Sequence, residues 1–295
     1  MKKVFKVMFA VLMTAVFALF AGCTKPLAYG KEMAKYESQL DALNQLKAGS
    51  VNMIVIDSIM AGWYTNVGDT YADYEVIDGL VLATEQYGIA AKKGNQALIS
   101  KINEGLIALK NATVDMSMSD IATRFGLQGE IAIPSDATDP LASATDNSWA
   151  DVVSDGVLTI GYTVFEPIAY PIEGVDTSND DNMTGYDIEL ARAVVAYLNL
   201  RYGTNVTIDF EVITWSAKEA MLENGSIDLV WNGMTITEER AATMEISIPY
   251  LNNKQVVVIA KADADLYPAN DFANAAKDAV IGVESGSAGQ SVVEG

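Results

Sequence analysis

The sequence predicts an α/β protein with mainly parallel sheets, organised as two similar lobes. Short apolar runs of strand length alternate with helical segments along most of the chain, as parallel sheets covered by helices require. The segments 42–57 and 220–233 also share one order of features, namely a helix, a Gly-Ser pair and a buried strand. Two lobes that each present a strand end to a common cleft would produce this repeat, although any helix–turn–strand unit looks similar.

The elements of the first part of the chain follow from the spacing of apolar residues. Leucines at helical spacing predict a helix over 32–48, which Gly49 ends, and the apolar run at 51–57 predicts a buried strand. Further predicted elements are a helix at 58–64, a polar loop at 66–73, strands at 74–82 and 87–92, and helices at 96–110 and 118–125. The segment 134–156 is predicted to be a linker, because it is rich in small polar and acidic residues, contains two prolines and has no sustained periodicity.

Strands and helices alternate again beyond this linker. The predicted strands are 157–162, 206–212, 227–231, 255–260 and 279–283, and the predicted helices are 187–200, 216–223, 271–277 and one that begins after the Gly-rich loop 285–289.

The segment 225–240, GSIDLVWNGMTITEER, is the centre of the functional prediction. Its apolar strand breaks at Asn232-Gly233, and hydroxyls, backbone N–H groups and Arg240 follow at a helix start. Open α/β sheets bind ligands at the carboxyl ends of their strands, and helix N-termini attract carboxylates, so a small anion could be held here. An Arg240 that pairs with a surface acid is equally compatible with this segment alone.

The first 22 residues are predicted to be a signal peptide. Three lysines precede an apolar run over 7–20 that is too short for a membrane-spanning helix. Phe20-Ala21-Gly22-Cys23 resembles a bacterial lipobox, with Phe20 where leucine is usual. Cys23 is the only cysteine, which excludes an intrachain disulfide, and its lipidation is favoured over a free thiol. We therefore expect an extracytoplasmic protein, anchored to the membrane by a lipid on Cys23 through a tether over 23–31.

The acidic composition excludes several classes of function. The chain has 39 acidic and 19 basic residues, and loss of the three leader lysines changes its net charge from −20 to −23. Nucleic acid and anionic membrane surfaces attract basic proteins, so neither is an expected partner. The chain has no histidine and its one cysteine is assigned to lipidation, which excludes zinc sites and His-based catalytic triads. We expect no metal and no cofactor.

A set of motifs in fixed order carries a resemblance to a known family. The motifs are LTIGYTVFEPIAY, GYDIELARAV, Trp215, GSIDLVWNGMTITEER, ISIPY, KQVVVIAK and IGVESGSAG, spread over nearly 140 residues from position 157. In order and spacing they closely resemble the polar amino-acid-binding family of extracytoplasmic solute-binding proteins, the receptors of ABC importers. The resemblance implies a two-lobed, type II periplasmic-binding-protein fold with hinge strands between the lobes, in which 157–254 is lobe 1 and 255–295 is the hinge and the first part of lobe 2.

The part of the chain before the linker resembles the remainder of the same family. YESQLDALNQLKAGSVNMIVIDSIMAGWY is similar to a later second-lobe segment, and EQYGIAAKKGNQALISKINEGLIAL to the return hinge strand and the C-terminal helix. Residues 32–133 would then be the second part of lobe 2 with the return hinge and C-terminal helices, placed ahead of lobe 1. A circular permutation explains two complementary parts with little overlap, since domain termini often lie close together. A truncated tandem of two binding domains uses the same residues and stays open.

The resemblance implies a carboxylate site built from both lobes. Arg240 stands at the family's carboxylate-binding arginine, and guanidinium matches carboxylate through two hydrogen bonds. Thr235 would add its hydroxyl and backbone N–H. Ser287 and Ala288, at a helix N-terminus across the cleft, suit the same carboxylate.

The rest of the implied site binds the ammonium group and the side chain of an amino acid. Asp57 matches the family's ammonium-binding aspartate, although by itself it would more often cap a helix. The Gly233 carbonyl would assist it, Asn232 is expected beside it, and Phe165 is expected to stack on the ligand side chain, with core packing as the alternative.

Four further residues are given other roles. Trp215 and Trp231 are expected in the core or the pocket wall, and Asp187 is expected to cap a helix. Thr163 stands where many family members have an aspartate that reaches a cationic or amide side chain. Its presence weakens the case for Lys, Arg or Gln as ligand without excluding them, since Glu166 is nearby.

The predicted function is capture of a free amino acid and its delivery to the permease of an ABC importer. One alternative is an enzyme on the same scaffold, of dehydratase or cell-wall lyase type, which would need an acid or base such as Glu166 at the ligand's reacting carbon. A second alternative is a non-functional fragment of a tandem binding protein. The sequence determines neither the ligand's side chain nor the choice between transport and signalling.

Overall fold

The structure, a computed structural model, describes residues 26–112, 117–172 and 182–295. The predicted signal peptide and Cys23 lie outside the described residues. Within those three ranges, no helix is both long and apolar enough to cross a membrane.

Strands and helices alternate as predicted. The strands are β1 (Glu32–Tyr36), β2 (Met53–Asp57), β3 (Tyr74–Val76), β4 (Ala83–Lys92), β5 (Val157–Tyr162), β6 (Tyr170–Pro171), β7 (Met183–Thr184), β8 (Thr207–Val212), β9 (Leu229–Thr235), β10 (Met244–Ile246), β11 (Leu251–Ala260) and β12 (Val280–Glu284). The helices are α1 (Gln39–Lys47), α2 (Ser58–Asn66), α3 (Gln96–Asn111), α4 (Met118–Arg124), α5 (Ser148–Asp155), α6 (Tyr186–Tyr202), α7 (Lys218–Asn224), α8 (Glu238–Thr243), α9 (Phe272–Ala275) and α10 (Ala288–Glu294). The α/β fold class is confirmed.

Ten strands form one sheet in the order β1-β12-β2-β11-β4-β9-β5-β8, with β3 beside β11 and β10 beside β4. The outer strands pair in parallel on both sides: β12 pairs with β1 and β2, and β5 pairs with β8 and β9. The long central strands β4 and β11 run antiparallel to their neighbours. They pair with each other over 83–87 and 251–255, where the sheet passes from one half to the other. We call the half with β5, β8 and β9 lobe 1, the half with β1, β2 and β12 lobe 2, and β4 and β11 the hinge strands.

Segments from both parts of the chain build each lobe. In lobe 2, β2 lies between β12 and β11, which come about two hundred residues later or more. In lobe 1, helix α3 packs against α6 so closely that a Cβ on Gly105 would lie 2.6 Å from Val194. Residues of both helices share one apolar core with strand β5. The parts before and after 134–156 are therefore packed together as one folded unit.

The predicted helix over 32–48 is wrong in its first part. Residues 32–36 form β1, which pairs in parallel with β12, and α1 begins only after Ser38, whose hydroxyl accepts from the backbone N–H of Asp41. The strand partner lies almost 250 residues further along the chain, so local helical spacing could not reveal it. The predicted strand over 74–82 is likewise shortened to β3, because the chain turns at Gly79.

The central strand of the 225–240 segment does not break at Asn232-Gly233. Strand β9 continues to Thr235, with Gly233 at φ 61° and an irregular register opposite Gly88 and Ala90 of β4. A left-handed residue is tolerated inside the strand because it is a glycine. Thr235 is thus a strand residue rather than part of a loop.

The segment 134–156 is more ordered than the linker prediction implies. It contains α5, and Asp139 accepts hydrogen bonds from Ser100 and Asn103 of α3. Asp146 accepts from the backbone N–H of Ala97, in the first turn of α3. The acidic residues that favoured a solvated linker instead fix this segment to lobe 1.

Candidate functional site

A small cavity lies between the lobes, at the carboxyl ends of β2, β5 and β12. Its volume is about 20 Å³, which is room for about one water molecule. It adjoins a wider cleft of about 770 Å³, and the two share Thr235, Arg240, Ser287 and Ala288. An amino acid can therefore enter the inner cavity only if the lobes move apart.

The structure brings all eight sequence-predicted ligand residues to this cavity. They come from distant parts of the chain and from both lobes: Asp57, Phe165, Asn232, Gly233, Thr235, Arg240, Ser287 and Ala288. Of the other residues discussed above, Trp215 and Thr163 also line the cavity, whereas Trp231 is a fully buried core residue.

Arg240 is a buried cation without a carboxylate partner. It lies in α8, is 8% exposed, and donates to the carbonyls of Thr235 at 2.8 Å and Gly286 at 3.0 Å. It takes part in none of the ion pairs formed within the described residues. Burial lowers its pKa, and a guanidinium without a counter-ion is costly to bury. The position favours an anion.

Asp57 is a buried carboxyl on the opposite lobe. It ends β2 but makes no side-chain cap to α2, so the helix-cap alternative does not describe its contacts. Its oxygens instead accept from the side-chain amides of Gln39, of Asn253 at 2.5 Å and of Gln255 at 2.6 Å. Burial, followed by the nearby carboxylate of Glu85, raises its pKa well above the usual range. A cation in the cavity would stabilise the ionised form.

The lobe 1 side of the cavity depends on Gly233. A Cβ there would lie 2.8 Å from Phe165, so the aromatic ring packs directly on the strand backbone. The neighbouring Asn232 donates its amide to the Thr163 hydroxyl at 2.9 Å, and its own Oδ1 is buried with no partner among the described residues. These contacts fix the position of the Phe165 ring at the cavity and leave the Oδ1 of Asn232 as a buried hydrogen-bond acceptor beside it.

The prediction that Asp187 caps a helix is wrong. Asp187 instead holds the backbone of β9 at Gly233, on which Phe165 packs. It is almost fully buried and accepts from the Gly233 N–H at 2.8 Å and the Tyr250 hydroxyl at 2.7 Å. Burial raises its pKa to about 7, although both hydrogen bonds act in the opposite direction. The helix cap position is taken by Gly185, which has no side chain to offer.

The raised pKa of Asp187 predicts a pH-dependent stability. Its usual pKa is 3.8 and its folded-state pKa is about 7, so the folded state binds the proton more tightly than the unfolded chain. Its contribution to stability is therefore full below pH 4 and is lost as the pH rises towards 7. We expect Asp187→Asn to flatten this part of the unfolding free-energy profile, measured by urea denaturation between pH 4 and 8. An equally steep profile in the variant would contradict this assignment.

Ser287 is engaged within its own turn. Its hydroxyl donates to the Glu284 carbonyl at 2.8 Å and accepts from the backbone N–H of Gln290, which makes it the N-cap of α10. Its backbone N–H also points to the Glu284 carbonyl, at 3.3 Å. The expected hydroxyl contact to a ligand would require this turn to rearrange.

Sequence reasoning missed three polar residues of the site. Gln39 and Glu284 line the inner cavity, and Lys218 lines the wider cleft. Glu284 ends a parallel strand, as Asp57 does, and the same strand-end argument could have found it. Gln39 and Lys218 begin helices and carry no comparable signal.

Lys218 is a second buried cation close to Arg240. Its Nζ lies 3.3 Å from the carbonyl of Trp215, 3.4 Å from that of Gly286 and 4.7 Å from the centre of the Trp215 ring. Burial, and then the charge of Arg240, lowers its pKa to about 8. Lys218 and Arg240, two cations of lobe 1, thus both donate to the Gly286 carbonyl of lobe 2.

Glu166, the acid considered for an enzyme, does not line the inner cavity. Its carboxylate accepts from the Trp63 indole N–H at 2.8 Å, a contact between the loop after β5 and helix α2 of lobe 2. Among the described residues, no group of His, Cys, Asp or Glu is arranged to hold a metal ion.

Comparison with known families agrees with this geometry. Residues 163–285 match the family described as bacterial extracellular solute-binding proteins, family 3. The match covers 123 of the 295 residues of the chain. A probable histidine-binding protein of Neisseria gonorrhoeae is 33% identical over 91 residues, which are 31% of each chain. The L-cystine-binding protein TcyA of Bacillus subtilis is 30% identical over 119 residues, 40% of each chain. The chain thus spans about a third to two fifths of the length of these relatives.

Solved structures of similar sequence also match over part of the chain. A histidine-bound substrate-binding protein of an ABC uptake transporter from Streptococcus pneumoniae is 33% identical, covering 33% of this chain and 35% of that one, with a TM-score of 0.27. The arginine-bound form of domain 1 from TmArgBP is 26% identical, covering 42% of this chain and 94% of that domain, with a TM-score of 0.28.

Proposed function

We propose that this protein captures a free amino acid between its two lobes and delivers it to an ABC importer. The observation that carries the proposal is the pair of Arg240 and Asp57, opposite buried charges that face one cavity from different lobes, each outside any ion pair of the described chain. A zwitterionic amino acid supplies one counter-charge to each. The ligand's carboxylate binds the Arg240 guanidinium, and its ammonium group binds the Asp57 carboxylate.

The names of relatives support the same class of ligand. Relatives are named for histidine, cystine, glutamine and arginine, which differ in side chain and share the amino-acid head group. In the proposed binding mode, Arg240 and Asp57 contact only this shared head group. These relatives are binding proteins, and the engagement of Glu166 with Trp63 gives no support to the enzyme alternative.

Binding is coupled to movement about the hinge strands. Contacts across the cleft hold the lobes together in this structure, notably Arg240 with the Gly286 carbonyl and Trp63 with Glu166. A ligand must break the first of these contacts, and it replaces the carbonyl with its own carboxylate. Because both lobes contribute charged partners, the ligand is bound most tightly when they close on it.

A thermal-shift screen tests the proposal. The chain from residue 24 onward is melted with each of the twenty amino acids at millimolar concentration. A ligand at a hundred times its Kd adds about 2.7 kcal/mol of stability, or a rise of several degrees. We expect such a rise with one or a few amino acids, and none with Asp57→Ala. A cooperative melt that no amino acid shifts would contradict the proposal.

We also propose a lipid anchor and a permuted chain order. Cys23 follows a basic start, an apolar run and two small residues, which favours lipidation outside the cytoplasmic membrane. The permutation is supported by β1, β2, β3 and β4, which come early in the chain yet belong to a sheet whose other strands are built from residues after 156. The unpermuted order would put residues 32–133 after 295.

A further inference from the structure

Two buried carboxyl groups of lobe 2, not one, face the inner cavity. Asp57 ends β2 and Glu284 ends β12, the two strands pair in parallel, and both residues are 4% exposed. Gln39 donates a hydrogen bond to Asp57, and its side chain also acts to lower the pKa of Glu284. We propose that Glu284 binds a positive charge on the ligand's side chain, so that the site selects cationic amino acids. This inference rests on the proposed function and adds the class of side chain.

Among the described residues, Glu284 forms no ion pair. In the proposed binding mode, Asp57 binds the ligand's ammonium group and Arg240 its carboxylate. Lys218 and Arg240 are the nearby cations of the protein, but both donate to the Gly286 carbonyl instead. Glu284 forms no ion pair with either of them. A ligand with a second cation completes the charge balance of the cavity.

The environment of Glu284 agrees with such a ligand. Burial raises its pKa to about 8, although Lys218, Gln39 and Arg240 all act to lower it. A cation in direct contact would favour the ionised carboxylate. The opposite wall is formed by Phe165 and Trp215, which suit both the methylene stem of a lysine or arginine and its charged end.

Lysine and norleucine provide a matched test, because norleucine has the same chain length without the ε-ammonium group. We expect calorimetry to give at least about 30-fold tighter binding of lysine than of norleucine by the wild-type protein. Glu284→Gln should bring the two affinities within about threefold of each other, mainly by weakening lysine binding. Glu211→Gln, at an exposed acid on β8 that lines neither the inner cavity nor the wider cleft, serves as the control and should keep the wild-type preference.

Three results would overturn the inference. The first is wild-type protein that binds norleucine or glutamine as tightly as lysine. This result would overturn the inference and leave the proposed function standing. The second is a folded Glu284→Gln variant that still prefers lysine to norleucine. It would likewise overturn the inference and leave the proposed function standing. Binding of no amino acid at all would overturn the proposed function together with this inference.

Discussion

Arg240→Ala is expected to abolish amino-acid binding without unfolding the protein. The guanidinium is the only cation that lines the inner cavity among the described residues, and it donates to backbone carbonyls rather than to a carboxylate. Removal of one partner from a buried, hydrogen-bonded charge pair costs about 2–5 kcal/mol, or a loss of affinity of roughly 30-fold to several thousand-fold. Calorimetric titration measures this loss.

The matched control is Arg201→Ala. Arg201 lies on α6 with a side chain 64% exposed and a distant 3.8 Å ion pair to Glu104, so its loss should change neither affinity nor melting temperature appreciably. Arg240→Lys keeps the charge but loses the two-pronged geometry, and an intermediate affinity is expected. Wild-type affinity in Arg240→Ala would show that the ligand carboxylate binds elsewhere.

Gly185→Ala is expected to be the most destabilising of the substitutions considered. Gly185 has φ 121°, a conformation open essentially to glycine, and an added Cβ would lie 2.3 Å from the Ile168 carbonyl oxygen. That carbonyl is held in place because it accepts from the backbone N–H of Asp187. The clash therefore moves backbone and disturbs the contact between Asp187 and Gly233. We expect a loss of about 3 kcal/mol or more, or a fall in Tm of roughly 6 °C or more.

Gly203→Ala separates the clash from the conformational cost. Gly203 ends α6 with φ 66°, and nothing lies within 4 Å of its added Cβ. Only the left-handed conformation is penalised, so the loss should be about 1 kcal/mol. Equal Tm values for the two variants would contradict the account of Gly185.

The parts of the site that local sequence could predict are residues at the ends of strands. Arg240 lies at a predicted helix start just beyond a predicted strand. Asp57 ends a predicted strand, but its ligand role follows only from the family resemblance, because the local sequence favours a helix cap. Glu284 occupies the same kind of position at the end of β12 but lay inside a motif interpreted for its glycines and serines. Its importance appears only when Asp57 and Arg240 are placed around it.

The features that could not be predicted depend on partners far along the chain. Residues 32–36 carry no strong strand pattern, and they form β1 because β12 offers an open edge. Asp187 stands in a helix-cap context, yet burial against Tyr250 and Gly233 determines its contacts. Lys218 becomes significant only because Gly286, 68 residues later, turns its carbonyl towards it. Tertiary packing sets each of these roles.

The measurement that tests the central claim most directly is a calorimetric titration of the amino acid that raises the melting temperature most. It is performed with the wild-type chain, with Asp57→Ala and with Arg240→Ala, each checked for a cooperative melt. We predict one binding site per chain in the wild-type protein and no detectable binding in either variant, because one cleft requires a charge from each part of the chain. Binding that survives in both folded variants would contradict a site formed between the two lobes.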